Sequence, residues 1–369
     1  MVRDVTRRIT ENEFRPRAEE VDREHRFPTE NVDILRRYGY LGLSIPKQYG
    51  GSGGDYLSYI IANEEIARYC ATTQVILSAH VSLCCSPILK FGTEEQKQKY
   101  LVPLAKGEHL GAFGLTEPEA GTDAAAQKTV AVLDGDQYLI NGTKVFITNA
   151  AQADTYIIFA ITDREKGLKG ISAFIVPADT KGFSIGKIED KMGINGSSTG
   201  ELIMEDVRLP KENLIGKEGM GFKIAMQTLD GGRIGIAAQG LGIAQGALDE
   251  AVKYVKEREQ FGKPIGNFQG LQWYIAEMAT RIEASRLLVY NASRLKDANK
   301  PFSKESAMAK LYASETATFV AHKAVQLHGG YGFTTDYPVE RMYRDARITE
   351  IYEGTSEVQK MVIAANVMK

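Results

Sequence analysis

The chain has 369 residues, of which 43% are hydrophobic and 25% charged, with a formal net charge of -2 at pH 7. That length supports two or three domains and a large core, and the near-neutral charge gives no electrostatic reason to bind nucleic acid or an anionic membrane surface. No apolar run is read as reaching the ~18 residues of a membrane span, so no membrane insertion is expected.

The start, Met1-Val2-Arg3-Asp4, is charged and lacks the apolar core of a signal peptide. Residues 1–110 read as helical. Glu13 to Arg26 is highly charged and reads as a surface helix. Tyr49 to Gly54 holds four glycines and must be a loop. Tyr56 to Tyr69 and Thr73 to Phe91 are longer apolar helical stretches. Thr93-Glu94-Glu95-Gln96 fits a helix start, with acidic residues in the first turn. Cys70, Cys84 and Cys85 form neither a disulfide framework nor a zinc spacing, so a reducing compartment is expected. The histidines are scattered without an HExxH pair, and no metal site is expected.

The pattern changes near residue 111. Up to about 215, short runs rich in Val, Ile, Phe and Tyr alternate with turn pairs. Asp134-Gly135 and Asn141-Gly142 are read as hairpin turns. Tyr156 to Ile161, Ile171 to Val176 and Leu202 to Met204 are strand-like, and Pro210 to Gly216 makes the exit. Beyond it the chain is helical again. Phe222 to Glu257, Gln269 to Ala298 and Lys304 to Leu327 are each long enough to span a domain. The division is 1–110 helical, 111–215 a compact β domain and 216–369 helical. The two helical parts are expected to pack together, since three long amphipathic helices alone leave apolar faces open.

Two stretches match G-x-S-x-G, Gly50 to Gly54 and Gly196 to Gly200. Neither follows a clear strand and opens a helix, as a nucleophile elbow requires. There is no GxGxxG fingerprint and no P-loop. Five other stretches carry more. Leu115 to Asp123 concentrates hydroxyls and backbone amides beside a strand end, either a polar capped loop or a cradle for a flat heterocycle such as a flavin. Phe146 and Thr148 are spaced to share one side of a strand, as ordinary core or as a stack on such a ring. Arg258 to Lys263 with Gln269, and Gln326 to Phe333, read as helix ends with loops or as a close backbone approach to a pyrophosphate paired by Arg258.

The fifth is Arg347 to Glu357. Glu353 sits between bulky apolar residues and a Gly-Thr step, where partial shielding raises a carboxylate's pKa and basicity. Gly354 removes a side chain that would hold a ligand off the backbone. Thr355 and Ser356 are placed to cap the next helix. The bland alternative is a solvated helix start.

Together, in this order on an α-β-α chain, these stretches resemble the acyl-CoA dehydrogenase family along nearly the whole length. Asp230 to Ala237 and Tyr343 to Thr349 are most similar to its short-chain, butyryl-CoA branch. The resemblance implies an α+β multidomain fold: an N-terminal helical domain, a central β-barrel-like domain and a C-terminal four-helix bundle. It implies FAD, a homotetramer built as a dimer of dimers, and electron-transferring flavoprotein as partner. The location would be the bacterial cytoplasm or, second, the mitochondrial matrix.

By resemblance, Glu353 is the base that takes a proton from the α carbon of an acyl-CoA thioester, the β hydrogen leaving as hydride to the flavin to give trans-2-enoyl-CoA. The thioester carbonyl would be polarised by a ribityl hydroxyl and the backbone N–H of the base, donors of a kind worth ~3 kcal/mol each. Relatives that place the base on an earlier helix use the position held here by Gly232, which has no side chain. The flavin ring falls to Phe113, Leu115, Thr116, Thr122, Phe146 and Thr148. The ADP half falls to Arg258, Phe261, Gln269, Gln326, Gly329 and Gly330, partly from a neighbouring subunit. Thr355 and Glu357 also face FAD. Thr122, Asp230, Arg233 and Gly354 would contact the acyl-CoA, and Gln239 and Thr349 would close the bottom of a short acyl pocket. Gln74 cannot supply the arginine charge with which glutaryl-CoA members hold a distal carboxylate. Asn195 stands where many members of the family have Arg, in a loop near the expected partner surface. The alternatives are an acyl-CoA oxidase, an enoyl-CoA reductase running in reverse, a dehydrogenase of branched short chains, and a silent homologue serving in assembly.

Overall fold

Helices form both ends of the chain and one sheet forms its middle, in a computed structural model describing residues 1–369. The N-terminal part comprises α1 (Val2–Ile9), α2 (Arg15–Arg23), α3 (Thr29–Arg37), α4 (Tyr56–Ala67), α5 (Ala71–Ser78), α6 (Ser86–Phe91), α7 (Glu94–Gln96) and α8 (Val102–Lys106). The π turn Thr10–Phe14 joins α1 to α2, and Ala79–Cys85 joins α5 to α6. The charged helix expected from Glu13 therefore begins at Val2. It is not wholly a surface element, because Phe14, Ala18 and Val21 are buried. Helix starts follow local chemistry. Asp55 caps α4 by accepting from the Ser58 N–H at 2.7 Å. Thr93 and Gln96 form a reciprocal capping box. The run Ala71–Phe91 has the length and hydropathy (1.3) of a membrane span, contrary to the expectation of none. Of its most apolar stretch 78% is buried within the protein, so it packs as core.

The sheet comprises β1 (Gly111–Gly114), β2 (Val130–Asp134), β3 (Gln137–Thr148), β4 (Thr155–Ile161), β5 (Ile171–Pro177), β6 (Phe183–Ile188), β7 (Thr199–Pro210) and β8 (Leu214–Ile215). Its order is β6-β7-β3-β2-β4-β5-β8, with β1 parallel to β4. Strand alternation builds two cores. Tyr156, Ile158 and Ala160 point with Phe174 and Val176 into a cluster drawn from residues 112–209 alone, so the sheet curls on itself. Ile157, Phe159, Ala173 and Ile175 point the other way, against Leu83, Ile88 and Ile224 of the helices.

Asp134 and Gln137 close the β2–β3 hairpin as expected. Asn141-Gly142 does not make a turn. It lies inside β3, where the register to β7 slips between Ile140 and Gly142. The Asn141 side chain accepts from the Asp206 N–H at 2.8 Å, and Gly142, at φ +150, sits where a Cβ would collide with Thr129. The pair serves a bulge because β7 is there to bridge to.

The C-terminal part comprises α9 (Gly221–Glu257), α10 (Gln269–Asp297), α11 (Ser303–His328), α12 (Val339–Ile348) and α13 (Ser356–Val367). α9 is not simply amphipathic, since every residue from Gly231 to Ala244 is buried. Its glycines permit this. A Cβ at Gly242 would strike the Glu64 carbonyl of α4, and one at Gly240 would lie 3.0 Å from the Ala313 carbonyl of α11. One 44-residue core draws on both helical parts, so they do pack together. Truncating Ile234 to Ala at this seam would cost about 2–5 kcal/mol.

Candidate active site

Glu353 lies in the tight turn between α12 and α13, with φ +50, followed by Gly354 at φ +94. Left-handed backbone is costly for a residue with a side chain, and persists where surroundings hold it. Here the Gln359 side-chain amide donates to the carbonyls of Gly354 (2.7 Å) and Glu353 (3.3 Å). The Lys310 ammonium donates to the Gly354 carbonyl at 2.8 Å. Thr355 caps α13 by accepting from the Val358 N–H at 3.4 Å. The Glu353 N–H has no acceptor within the chain.

The turn drives the Glu353 carboxylate onto α9. A Cβ built on Gly232 would collide with Oε2, and would lie 2.9 Å from the Leu83 side chain. Glu353 as a residue is half-buried, but Oε2 is enclosed and has no hydrogen-bond partner. Burial pushes its pKa up to about 7, against the opposing pull of Lys310 and Arg233. The carboxyl is thus unpartnered, with Oε2 enclosed and its pKa near neutrality, as a proton acceptor requires.

The surrounding wall comes from distant elements. The Tyr56 hydroxyl donates to the Gly231 carbonyl at 2.8 Å. Gly235 faces Ser78, whose Oγ would lie 2.6 Å from a Cβ there. The π turn thus sets Ser82 and Leu83 against α9. Gln239 is buried, donating to the Ala71 carbonyl at 3.2 Å and accepting from the Tyr352 hydroxyl. Thr349 is buried, its hydroxyl turned onto the Ala346 carbonyl at 2.7 Å. Arg233 is fixed by Asp230 at 2.6 Å, leaving its Nε unpartnered; Asp230 also accepts from Ser303 at 2.9 Å. Gln74 reaches Asn63 (2.8 Å) and the Gly235 carbonyl (3.2 Å), so it ties α5 to α4 and α9.

On the sheet side, Phe113 and Leu115 lie in the core shared with the helices, Phe113 edge-on to Phe159. Thr116 accepts from the Val145 N–H at 2.9 Å. Thr122 is exposed and Thr148 half-buried. Phe146 is not core. A bulge between Lys144 and Ile147 sets it at φ +59 and leaves it 64% exposed. Behind this loop Lys144 is wholly buried, donating to Glu117 (2.7 Å), Gln127 (3.0 Å) and the Leu115 carbonyl (3.2 Å).

Arg258, Gln326, Gly329 and Gly330 come together in a separate cleft of about 490 Å³. His328 joins them. Its Nδ1–H donates to the Ala324 carbonyl, leaving Nε2 a buried acceptor without a partner. A Cβ on either glycine would meet nothing within 4 Å, so the cleft floor is open. Phe261 (93% exposed), Gln269 and Glu357 stand on the surface. Asn195 is not on an open surface: it is buried and donates to Asp22 at 2.9 Å, tying a sheet-domain loop to α2.

Sequence reading missed Lys310 and Tyr56. Lys310 had a signal. Ser306, Lys310, Ala313, Ala317, Val320, Ala324 and Leu327 follow the four-three spacing of a buried stripe, and one of them is a lysine. Tyr56 stood unmarked at the start of an apolar helix.

Three successive segments of the chain, in this helix–sheet–helix order, match the domains of one family. These are the acyl-CoA dehydrogenase N-terminal domain (residues 1–108), middle domain (112–207) and C-terminal domain (219–368). The chain belongs to the acyl-CoA dehydrogenase family. Its likeness within the family is to the short-chain branch. It is 62% identical over 369 residues to the short-chain specific acyl-CoA dehydrogenase of Clostridium acetobutylicum, covering 100% of this chain and 97% of that one. It is 58% identical to acryloyl-CoA reductase (NADH) of Anaerotignum propionicum, covering 100% and 94%. Butyryl-CoA dehydrogenase from Megasphaera elsdenii superposes with TM-score 0.98 at 52% identity, covering 100% and 97%. A chain from the structure of the electron transferring flavoprotein of Acidaminococcus fermentans, concerned with flavin-based electron bifurcation, superposes with TM-score 0.99 at 56% identity, covering 100% and 97%.

Proposed function

We propose that the protein dehydrogenates short-chain acyl-CoA thioesters to trans-2-enoyl-CoA with FAD, passing electrons to an electron-transferring flavoprotein. The observation that carries this is the Glu353 carboxyl, free of any partner and with its Oε2 enclosed over Gly232. A buried group left unsatisfied is costly unless a ligand uses it. Glu353 takes the α proton, and its unpaired N–H is the chain's own donor to the thioester oxygen. Leu83, Tyr56 and the glycines of α9 exclude water beside it, which strengthens that donor and keeps the base unsolvated. Gln239, locked by Tyr352, and Thr349 limit the acyl chain. Arg233 with Asp230, Gly354 and Thr122 complete the acyl-CoA contacts.

The residues present fit FAD. The cleft pairs a guanidinium with glycine backbone and an orphaned histidine nitrogen, donors and acceptors suited to a pyrophosphate and a nucleoside. Arg258, Phe261, Gln269, Gln326, Gly329 and Gly330 hold the ADP half. Phe113, Leu115, Thr116, Thr122, Phe146 and Thr148, with Thr355 and Glu357, hold the flavin half. FAD, when bound, supplies the two-electron acceptor for the β hydrogen leaving as hydride. Phe261 (93%), Phe333 (90%) and Trp273 (65%) leave large apolar surface on the C-terminal part, which supports a homotetramer, a dimer of dimers. The division 1–110, 111–215 and 216–369 belongs to this reading, supported by the first strand at Gly111 and the long helix from Gly221. So does a bacterial cytoplasmic location, supported by the bacterial relatives.

A second reading, reduction of a short enoyl-CoA by the same site in reverse, is supported by the similarity to acryloyl-CoA reductase. One panel tests both: C4 to C8 and branched acyl-CoAs with an artificial acceptor, and crotonyl-CoA with the reduced protein. Butyryl-CoA should lead the oxidative series. Reactivity of neither panel would contradict the proposal.

A further inference from the structure

Glu353 faces Arg233 of α9, Lys310 of α11, Tyr56 and Tyr59 of α4 and its own neighbour Tyr352, while Lys310 faces, besides Glu353 and Arg233, Glu350 of the turn after α12 and Glu357 of α13. The two cations differ. Arg233 is committed to Asp230. Lys310 is wholly buried, and the only acceptor of its ammonium is the Gly354 carbonyl, one residue past Glu353.

We propose that Lys310 is a positioning residue for the reaction: it pins the Glu353-Gly354 turn and sets its ammonium on the side of the base, where it favours the carboxylate form. This rests on the reading of Glu353 as the base. The geometry separates two halves of one clamp. Gln359 and Lys310 donate to the same Gly354 carbonyl, at 2.7 and 2.8 Å, from opposite helices. Only one of them carries charge. The turn needs both because neither Glu353 nor Gly354 has ordinary right-handed backbone, and a side chain at 354 would press on the Gln359 amide. The charge opposes burial, which would otherwise leave the carboxyl protonated and useless as a base. Lys310 itself is brought down to about 8 by burial, so it remains an ammonium where the base works.

The test uses anaerobic flavin bleaching by butyryl-CoA, followed against pH on the FAD-loaded protein. A base acts only when deprotonated, so its pKa appears as the acid limb of the rate. Lys310→Gln keeps a donor for the Gly354 carbonyl and removes the charge. Its acid limb should move up by about 1 unit or more, as expected on losing an opposite charge beside the base. Its rate should rejoin the wild type only above its own shifted limb. Gln359→Leu should slow bleaching with its limb unmoved. A limb at the wild-type position in Lys310→Gln would overturn the proposal. Should that variant not fold, Lys310→Arg decides: its limb should stay in place at whatever rate remains, and an upward move of a unit or more would refute the role. Glu353→Gln is run alongside. If it is inert while Lys310→Gln shows no shift, only Lys310 fails; if it bleaches normally, the base assignment fails first.

Discussion

The Glu353 carboxylate occupies the space that a side chain on Gly232 would fill. The two positions are interchangeable in volume and exclusive of each other. Gly232→Ala should therefore displace the carboxylate and lower kcat by roughly 10²-fold, the usual result of ~1 Å of misplacement at a reacting group. Its FAD content should not change. Gly232→Glu on a Glu353→Gly background should recover part of the activity, because a carboxylate then reaches the same space from the other side. Steady-state kinetics on the three proteins check this. Full activity in Gly232→Ala would contradict the apposition.

Stability should carry the mark of the same burial. The Glu353 pKa is raised from 4.5 to about 7 by desolvation. A raised carboxyl contributes stability that is fully present below the unfolded pKa and lost as pH rises through the folded one. The protein without substrate should therefore lose on the order of 3 kcal/mol from this group between about pH 4.5 and 7. Glu353→Gln does not ionise and escapes that loss. Thermal unfolding at pH 5 and pH 8 should show the variant gaining on the wild type as pH rises.

Chain length should follow Gln239 and Thr349. Replacing both with smaller residues should extend activity to hexanoyl- and octanoyl-CoA, each added methylene contributing ~0.8 kcal/mol of binding in a dry pocket. Gln239 also accepts from Tyr352, next to the base, so the butyryl-CoA rate should fall in the same variant. A parent protein that already favours octanoyl-CoA in kcat/KM would refute the pocket assignment.

The fold was legible where residues act locally. Thr93 and Gln96 announce their capping box, and the three long C-terminal helices end within a residue or two of the expected places. Asn141-Gly142 misled because the residue that decides its conformation, Asp206, is 65 residues away. Phe146 was spaced like strand core, yet a bulge set by pairing to β7 turns it outward. At the site, Glu353 was visible through its neighbours in sequence. Tyr56 and Leu83 were not, and Lys310 showed only as a lysine in a buried stripe, because it is packing between elements far apart in the chain that brings them to the site.

Arg258 should matter to FAD and to assembly together. It lines the cleft with Gln326, Gly329 and Gly330, and its guanidinium lies 5.9 Å from the centre of the Tyr331 ring. Arg258→Ala should lose flavin on dialysis and dissociate at concentrations where the wild type stays assembled. Absorbance ratio and sedimentation read the two effects. A monomer with full FAD occupancy would contradict a cofactor held across subunits.

The central claim is that Glu353 removes the α proton. Glu353→Gln preserves shape and hydrogen bonding, including the carbonyl contacts of the turn, but accepts no proton. General-base assistance is typically ~10²–10⁴-fold, and no water reaches the enclosed Oε2 to substitute, so the loss should lie at or beyond the upper end. The measurement is the anaerobic rate of flavin bleaching on adding butyryl-CoA. The account predicts a fully flavinated variant that binds the thioester and bleaches at least 10⁴-fold more slowly than the wild type; bleaching at close to the wild-type rate would show that another residue takes the proton.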